Sequence, residues 1–356
     1  MGPQGYRAGA LLPLLCGGLA CAPEPAHVES RTQAVIYGAD DREELYAAEP
    51  AELRERLARG LVALVPASEV EAAGGLAAAP SLRERFELCR PLAFEDQPAV
   101  AFCSGVLVDW DLVLTAAHCA TVVPLEQLRA VFGWYYRAPG ELALAADSIY
   151  EVAEVVAQRL DLPDSSVRLD YAWLRLALVV DPPQQPVPIA FREALPGELL
   201  TVAGASDGLP FKLDRTATVH GTHGAPGDFF VTASDTSRGA SGGPALNAGG
   251  ALLGLLARGA TDFSVGAGGC LEPRRRSTLD AAEEFTYAAR ALEGLCAAQP
   301  RSSLCSADCG EHCAASLRSE RGAGCAAGRR VGSKAPLGWF ALPWLLWRRR
   351  IGRCDP

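Results

Sequence analysis

Short apolar runs separated by turn residues recur along the middle of this chain, and they limit its possible folds more than any other feature. Residues 61–65, 199–204 and 229–233 are examples, and each lies close to Gly, Pro or Asp. Runs of this length with such boundaries are typical of strands. A long series of short strands predicts an all-β sandwich or barrel rather than alternating strands and helices.

Two segments interrupt this pattern. Residues 41–59 are rich in Glu, Ala, Leu and Arg, which predicts one helix or two short ones with Pro50 in a first turn. A second helical stretch is predicted over residues 277–298, and we expect it to close the domain.

The composition allows a sizeable core and disfavours one class of partner. Hydrophobic residues make up 49% and charged residues 21% of the 356 residues, as is usual for globular chains. The net charge is −9 and no basic stripe is present, so we expect no nucleic-acid partner. The acidity favours solubility and carries no information about a substrate.

The cysteines and the N-terminus indicate export. Twelve cysteines are too many for a reducing compartment, so they form disulfides outside the cytoplasm or bind metal. Residues 1–21 carry Arg7, then an apolar run, then small residues, which predicts a signal peptide. The pair Ala20-Cys21 also resembles a lipoprotein cleavage point, with Cys21 lipidated. Residues 22–34 are predicted to form a linker, and the location to be secreted or cell envelope.

The C-terminal part has a different character. Residues 299–334 have little apolar content, so order there would require cross-links. Three cysteines of this segment could bind zinc, although an exported chain favours disulfides: Cys305, Cys309 and Cys313. Residues 335–356 contain an apolar run of about eleven residues and an Arg triplet. This run is shorter than the ~20 residues that span a bilayer, but it would seek a membrane surface.

Three polar residues have the chemistry for acyl transfer, which needs a hydroxyl nucleophile, an imidazole base and an orienting carboxylate. His118 follows a predicted hairpin, Asp170 begins a strand of alternating apolar residues, and Ser241 lies in a Gly-rich turn. Such a turn alone predicts only a turn. The three residues together, in the order His, Asp, Ser, predict a catalytic triad.

Two further features of these stretches support a site. The backbone N–H groups of Gly239 and Ser241 would stabilise a developing oxyanion. A disulfide between Cys103 and Cys119 would hold the His118 loop against the preceding strand.

These stretches resemble the trypsin/chymotrypsin superfamily of serine proteases. The matching motifs are Thr115-Ala-Ala-His-Cys119, Asp170-x-Ala-x-Leu-x-Leu176 and Gly239-x-Ser-Gly-Gly-Pro244. The resemblance covers residues 35–298 and implies an all-β, chymotrypsin-like fold of two orthogonal six-stranded β-barrels, with a closing C-terminal helix. It implies a serine endopeptidase that acts on proteins or peptides and needs no cofactor or metal.

Two closer likenesses are to bacterial proteins. Bacterial glutamyl-endopeptidase-like members often carry segments similar to Val35-Ile-Tyr-Gly-Ala-Asp-Asp-Arg42 and Gly208-Leu-Pro210. The C-terminal tail, with Cys325, a short apolar run and an Arg cluster, resembles the sorting tails of myxobacterial surface proteins. Membrane attachment would then use the lipidated N-terminus or this tail.

The sequence departs from the superfamily at one position. Animal members usually place Asp directly before the nucleophile, where it pairs with a new N-terminus, but this chain has Ala240. An activation switch built on that ion pair is therefore not available. The alternative function is a catalytically silent surface binding module that kept the protease fold.

Three residues are candidates for substrate specificity. Asp235, six positions before the nucleophile, would favour Lys or Arg through a charge-assisted pair, or it is a structural turn residue. Thr236 would serve other pockets. Arg258 would pair with Asp235 or attract acidic side chains.

Overall fold

Strands dominate the part of the chain that this computed structural model describes, which is residues 34–71, 75–162, 164–165, 167–223, 227–260 and 263–305. All of these residues lie in one compact unit. The predicted signal peptide, the lipidation at Cys21, residues 306–334 and the tail 335–356 lie outside them.

The strands are short and are joined by turns, and in chain order they are β1 (Ala34–Tyr37), β2 (Glu43–Glu44), β3 (Leu61–Pro66), β4 (Cys103–Asp109), β5 (Leu112–Thr115), β6 (Leu128–Val131), β7 (Tyr136–Ala138), β8 (Glu141–Leu142), β9 (Ile149–Leu160), β10 (Asp170–Leu176), β11 (Leu199–Gly204), β12 (Lys212–His223), β13 (Phe229–Ala233), β14 (Thr236–Ser237), β15 (Pro244–Leu246), β16 (Leu252–Arg258), β17 (Phe263–Val265), β18 (Leu271–Arg276) and β19 (Glu283–Tyr287). The α-helices are α1 (Ala51–Gly60), α2 (Leu82–Arg85) and α3 (Ala288–Ala298).

The first barrel is a closed ring of six strands in the order β10-β5-β4-β3-β6-β9, in which β10 pairs with β9. All neighbours in the ring are antiparallel. Its strands are rich in Val and Leu, and β5 is buried at all four positions, which is typical of a strand covered on both faces. Closure leaves no unpaired edge in this barrel.

The second barrel contains β11, β15, β16, β19, β13 and β12 in ring order, and pairing of β11 with β12 closes it. Strand β2 adds to β12 outside the ring. Aromatic side chains fill the interior, where the rings of Phe230 and Phe285 stack 5.3 Å apart and Tyr287 packs beside them. The predicted all-β fold of two six-stranded barrels with a closing helix is confirmed.

The prediction of a helix over residues 277–298 was wrong for the first half of this segment. Only α3 is helical, while β19 occupies residues 283–287 between β13 and β16. Phe285 and Tyr287 alternate along this strand and enter the core, so burial in the barrel overrides the helical composition. The other predicted helix is α1, and it begins directly after Pro50.

A smaller sheet ties the start of the described chain to the loop before Ser241. Its order is β14-β1-β18-β17. Strand β1 runs antiparallel to β14, with Val35 opposite Thr236, and parallel to β18. The N-terminal strand therefore supports the segment that leads into the Gly-rich turn.

Three disulfides join described residues: Cys89–Cys270, Cys103–Cys119 and Cys296–Cys305. The Cys103–Cys119 bond confirms the pair expected from the sequence, whereas the bond between Cys305 and Cys296 of α3 was not expected. Within the described residues, no helix has the length and apolar character required to cross a membrane.

Trp173 offers a test of how the first barrel holds the closing helix. Its buried indole nitrogen donates to the Ala291 carbonyl of α3 at 2.8 Å. We expect Trp173→Phe to lower the free energy of unfolding by about 2 kcal/mol, because a hydrogen bond and buried volume are lost. Urea unfolding followed by far-ultraviolet circular dichroism measures this. Trp110→Phe is the control, since Trp110 is 45% exposed and its change should stay within about 0.5 kcal/mol.

Candidate active site

His118 and Asp170 meet because their strands are neighbours in the first barrel. His118 lies in a 3-10 turn, Ala117–Thr121, directly after β5, and Asp170 is the first residue of β10, which pairs with β5. The imidazole Nδ1 lies 2.8 Å from the Asp170 Oδ2 atom. With the ring proton on Nδ1, the Nε2 atom remains a proton acceptor.

The Asp170 carboxylate also holds the backbone of the same turn. Its Oδ1 atom accepts from the Ala117 N–H at 2.7 Å and from the His118 N–H at 3.3 Å. Asp170 is 1% exposed, whereas the side chain of His118 is 35% exposed. The carboxylate therefore fixes both the ring and its turn, and the ring keeps access to solvent.

A disulfide fixes the other side of the His118 turn. Cys103 of β4 is bonded to Cys119, with an S–S distance of 1.98 Å. The ligand atoms of Cys103, His118 and Cys119 lie within 4.8 Å of one another, a spacing that suits a metal ion. Both sulfur atoms are committed to the disulfide, so they are not thiolate ligands.

Ser241 lies in the turn between β14 and β15, and this turn packs against the first barrel. The Ser241 carbonyl accepts from the Ser104 N–H at 2.8 Å, and the Cys119 sulfur lies 3.7 Å from the same oxygen. Gly242 has φ +79°, and a Cβ atom there would lie 2.9 Å from the Ala116 N atom. The structure therefore places Ser241 beside the turn that carries His118. Among the described residues, the Ser241 hydroxyl makes no hydrogen bond.

Gly239 presents its N–H group beside Ser241. The Arg238 carbonyl accepts from the Asp207 N–H at 2.5 Å, and because the peptide unit is trans, the Gly239 N–H points the opposite way. Within the part of the chain that is described, neither this N–H nor that of Ser241 has an acceptor. The turn of Ser241 therefore contains two backbone N–H donors without an acceptor among the described residues.

Only glycine fits at position 239. Its φ is +99°, and a Cβ atom there would lie 2.4 Å from the Ala205 carbonyl oxygen. The next residue, Ala240, is fully buried, and a Cβ atom on Gly204 would lie 2.5 Å from the Ala240 Cβ atom. Close packing therefore holds the turn, at the position where animal members of the superfamily carry Asp.

Ser104 is a buried residue of the site that the sequence analysis missed. Its hydroxyl donates to the Gly239 carbonyl at 2.7 Å and accepts from the Ala205 N–H at 2.9 Å. Its carbonyl accepts from the Thr115 hydroxyl at 2.7 Å. A single serine within a strand gives no sequence signal, because its partners lie far away in the chain.

Asp235 is directed toward the N-terminal segment. Its two carboxylate oxygens accept from the Tyr37 N–H at 2.7 Å and from the Asp41 N–H at 2.9 Å. Burial raises the pKa of Asp235 to about 6. These contacts fit the structural role that the sequence analysis kept as an alternative.

Arg258 does not pair with Asp235, so that suggestion was wrong. Its guanidinium donates to the carbonyls of Arg168 and Asp161 at 2.9 and 2.7 Å, and it lies 3.8 Å from Glu284. The register of β16 against β19 shifts between Leu256 and Arg258. A register shift changes the direction in which a side chain points. Here it accompanies the Arg258 side chain, which points to the loop before β10.

Substitution of Ser104 tests how the turn of Ser241 is held. In Ser104→Ala the Gly239 carbonyl and the Ala205 N–H both lose a buried partner, and each such loss costs about 1–3 kcal/mol. We expect a fall of at least about 2 kcal/mol in the free energy of unfolding, measured with urea. Ser165→Ala is the control, because Ser165 is exposed. Equal stability of the two variants would contradict this role.

One family model matches part of this chain. Residues 103–255 match the family model described as trypsin-like peptidase domain. None of the curated proteins compared with this chain matches it.

Solved structures with low identity also match. The Rv3671c protease of M. tuberculosis H37Rv, in its inactive form, is 18% identical over 70% of this chain and 96% of that chain, with a TM-score of 0.40. Kallikrein-related peptidase 10 in complex with Zn²⁺ is 17% identical over 70% and 98%, with a TM-score of 0.41. Human heparin binding protein is 16% identical over 71% and 91%, with a TM-score of 0.42. Residues 103–255 of this chain are thus similar to a trypsin-like peptidase domain.

Proposed function

We propose that this chain is a serine endopeptidase in which His118, Asp170 and Ser241 form the catalytic triad. The observation that carries the proposal is the 2.8 Å contact between the His118 ring and the buried Asp170 carboxylate, in a turn that packs against the turn of Ser241. A peptidase needs this arrangement, because an oriented imidazole must take the proton of the nucleophile.

The proposed reaction proceeds through an acyl-enzyme. The Ser241 Oγ atom attacks the carbonyl carbon of the scissile bond while the His118 Nε2 atom takes its proton. The N–H groups of Gly239 and Ser241 stabilise the oxyanion, and the imidazolium then gives the proton to the leaving amine. A water molecule, activated by the same imidazole, releases the acid product. Asp170 stays ionised and stabilises the imidazolium.

On this proposal, the hydrogen bond between the Ser241 hydroxyl and the His118 imidazole forms when a substrate binds. Catalytic hydrogen bonds are often long in the unbound state and tighten in the complex with substrate. The hydroxyl of Ser241 has no competing partner among the described residues. It can therefore turn toward His118 without breaking another hydrogen bond.

We also propose that the enzyme works outside the cytoplasm and cleaves proteins or peptides. The disulfides of the described domain support this location. Cleavage after the signal peptide would leave a secreted chain, and a lipid on Cys21 or the tail 335–356 would attach it to the cell envelope. Within the superfamily, we place it closest to the bacterial glutamyl-endopeptidase-like members.

Replacement of the nucleophile tests the proposal directly. We expect Ser241→Ala to lower kcat/KM for peptide hydrolysis by roughly 10⁴-fold or more, because the acyl-enzyme cannot form. A fluorophosphonate probe should label the unaltered enzyme stoichiometrically and leave the variant unlabelled. Ser264→Ala on β17 is the control and should keep both properties. Undiminished hydrolysis by Ser241→Ala would reject the triad, and an unlabelled, inactive natural chain would favour the binding-module alternative.

Asp170→Asn tests the orienting role separately. The amide keeps the shape of the carboxylate but favours the wrong imidazole tautomer, so kcat should fall roughly 10⁴-fold. Steady-state kinetics with a chromogenic peptide measures this, and far-ultraviolet circular dichroism checks that the fold is retained. A folded variant with full activity would exclude Asp170 from the triad.

A further inference from the structure

Asp207 has an uncommon backbone conformation in the segment between β11 and β12. It lies in the 3-10 turn Ser206–Gly208, and its φ of +58° and ψ of 17° are left-handed. Most residues with a side chain avoid this region, although Asp and Asn adopt it more readily than others. Among the described residues, Phe94 is the only other non-glycine residue with a positive φ. Such a conformation persists only where the surrounding structure determines it.

The first barrel and the segments beside it hold this turn in place. The Gly208 carbonyl accepts from the Val100 and Ala101 N–H groups at 2.9 and 3.2 Å. It also accepts from the indole nitrogen of Trp134, a buried residue shortly after β6, at 3.2 Å. These three hydrogen bonds fix the residue that follows Asp207, so the turn keeps its shape.

The Asp207 N–H contacts the segment that leads into the turn of Ser241. It donates to the Arg238 carbonyl at 2.5 Å. Arg238 and Gly239 share a trans peptide unit, so a hydrogen bond to this carbonyl also sets the direction of the Gly239 N–H. In the proposed reaction, this N–H is one of the two donors to the oxyanion.

Gly239 itself does not select the orientation of this peptide unit. Glycine adopts positive and negative φ with similar ease, so its own conformation offers little resistance if the Arg238–Gly239 unit turns over. In the reversed orientation the carbonyl would take the place of the N–H, and its partial negative charge would repel an oxyanion. A donor from outside the turn must therefore select one orientation, and the Asp207 N–H is such a donor.

The Asp207 side chain does not account for the conformation of this residue. Asp207 is 7% exposed, and its Oδ1 atom has no hydrogen-bond partner among the described residues. Burial raises the pKa of Asp207, and the charge of Arg42 opposes this rise only in part. A left-handed backbone and an unsatisfied buried oxygen both disfavour the folded state, and such features are concentrated at functional sites. The contribution of Asp207 therefore lies in its main chain.

We propose that Asp207 is a positioning residue for the oxyanion site, and that its left-handed backbone holds the Arg238–Gly239 peptide unit so that the Gly239 N–H faces the scissile carbonyl. This inference rests on the proposed peptidase function. Asp207 touches neither the substrate nor the reacting atoms and acts through Gly239. Its effect is therefore on the transition state, where the oxyanion develops, rather than on the binding of the substrate.

Substitutions that differ in their tolerance of a positive φ test the proposal. Asp207→Val introduces a β-branched side chain, which strongly disfavours the left-handed region, so the N–H should turn away from the Arg238 carbonyl. We expect kcat for a chromogenic peptide to fall roughly 100-fold and KM to stay within about two-fold, because a donor to the transition state is lost. Asp207→Gly adopts a positive φ freely and should recover most of this kcat. Asp207→Asn should do the same, because Asn tolerates this region.

Asp147→Val is the matched control for this replacement. Asp147 is exposed in the 3-10 turn Ala146–Ser148, so the same change there should alter neither kcat nor KM. Asp207→Val with the kcat of the natural enzyme would overturn the proposal. An equal loss of kcat in the Val, Gly and Asn variants would also overturn it, since the backbone conformation would then not matter. Thermal unfolding shows whether each variant is folded.

Amide hydrogen exchange in the natural enzyme, resolved by NMR, needs no variant and decides if Asp207→Val does not fold. The Asp207 N–H should exchange slowly, as a hydrogen-bonded group does. The Gly239 N–H should exchange quickly until a peptide boronate, which mimics the tetrahedral transition state, is added. Rapid exchange at Asp207, or a Gly239 N–H that the boronate does not protect, would contradict the positioning role. A natural enzyme that neither hydrolyses peptides nor reacts with a fluorophosphonate would instead refute the peptidase function.

Discussion

The buried carboxylate of Asp170 is the interaction on which the rest of the site depends. Its oxygens accept from the Ala117 N–H and the His118 ring, so its desolvation is offset by hydrogen bonds rather than by a cation. Its own N–H donates to the Thr286 hydroxyl of β19 at 3.1 Å. One residue therefore orients the imidazole and joins the first barrel to the second. Loss of its charge would disturb the contact with the imidazole, whereas the contact between the barrels is made by its main chain and would remain.

The junction of the barrels is built from small polar residues and from glycines. Ser104 of the first barrel bonds to backbone groups on both sides of the Ser241 turn. The glycines of the turn allow this approach, since a side chain at position 239 or 242 would collide with the opposing backbone. Short contacts between main chains position Ser241 more rigidly than long side chains would.

Local patterns predict the parts of this molecule that local forces determine. The strands, the His118 turn and the Gly-rich turn carry their signals within a few residues, and both barrels follow from them. Asp235 and Glu283 both contact Tyr37, which lies 198 and 246 residues away from them in the chain. No short window contains such information. Residues 277–287 also have a helical composition, and only the barrel core reveals why Phe285 and Tyr287 adopt strand geometry.

Arg258 shows a second limit of sequence reasoning. The sequence predicts that Arg258 lies in a strand that walls the pocket, but its side chain reaches the carbonyls of Arg168 and Asp161 at a register shift in β16. A shift of this kind changes which face a residue occupies, and composition does not reveal it.

The tight contact between Gly204 and Ala240 has a consequence for the divergence of such chains. Because even a methyl group at position 204 would overlap the one at position 240, neither site can drift alone toward bulkier residues. The two positions should therefore be inherited as a pair, and a library that randomises only one of them would yield few folded clones.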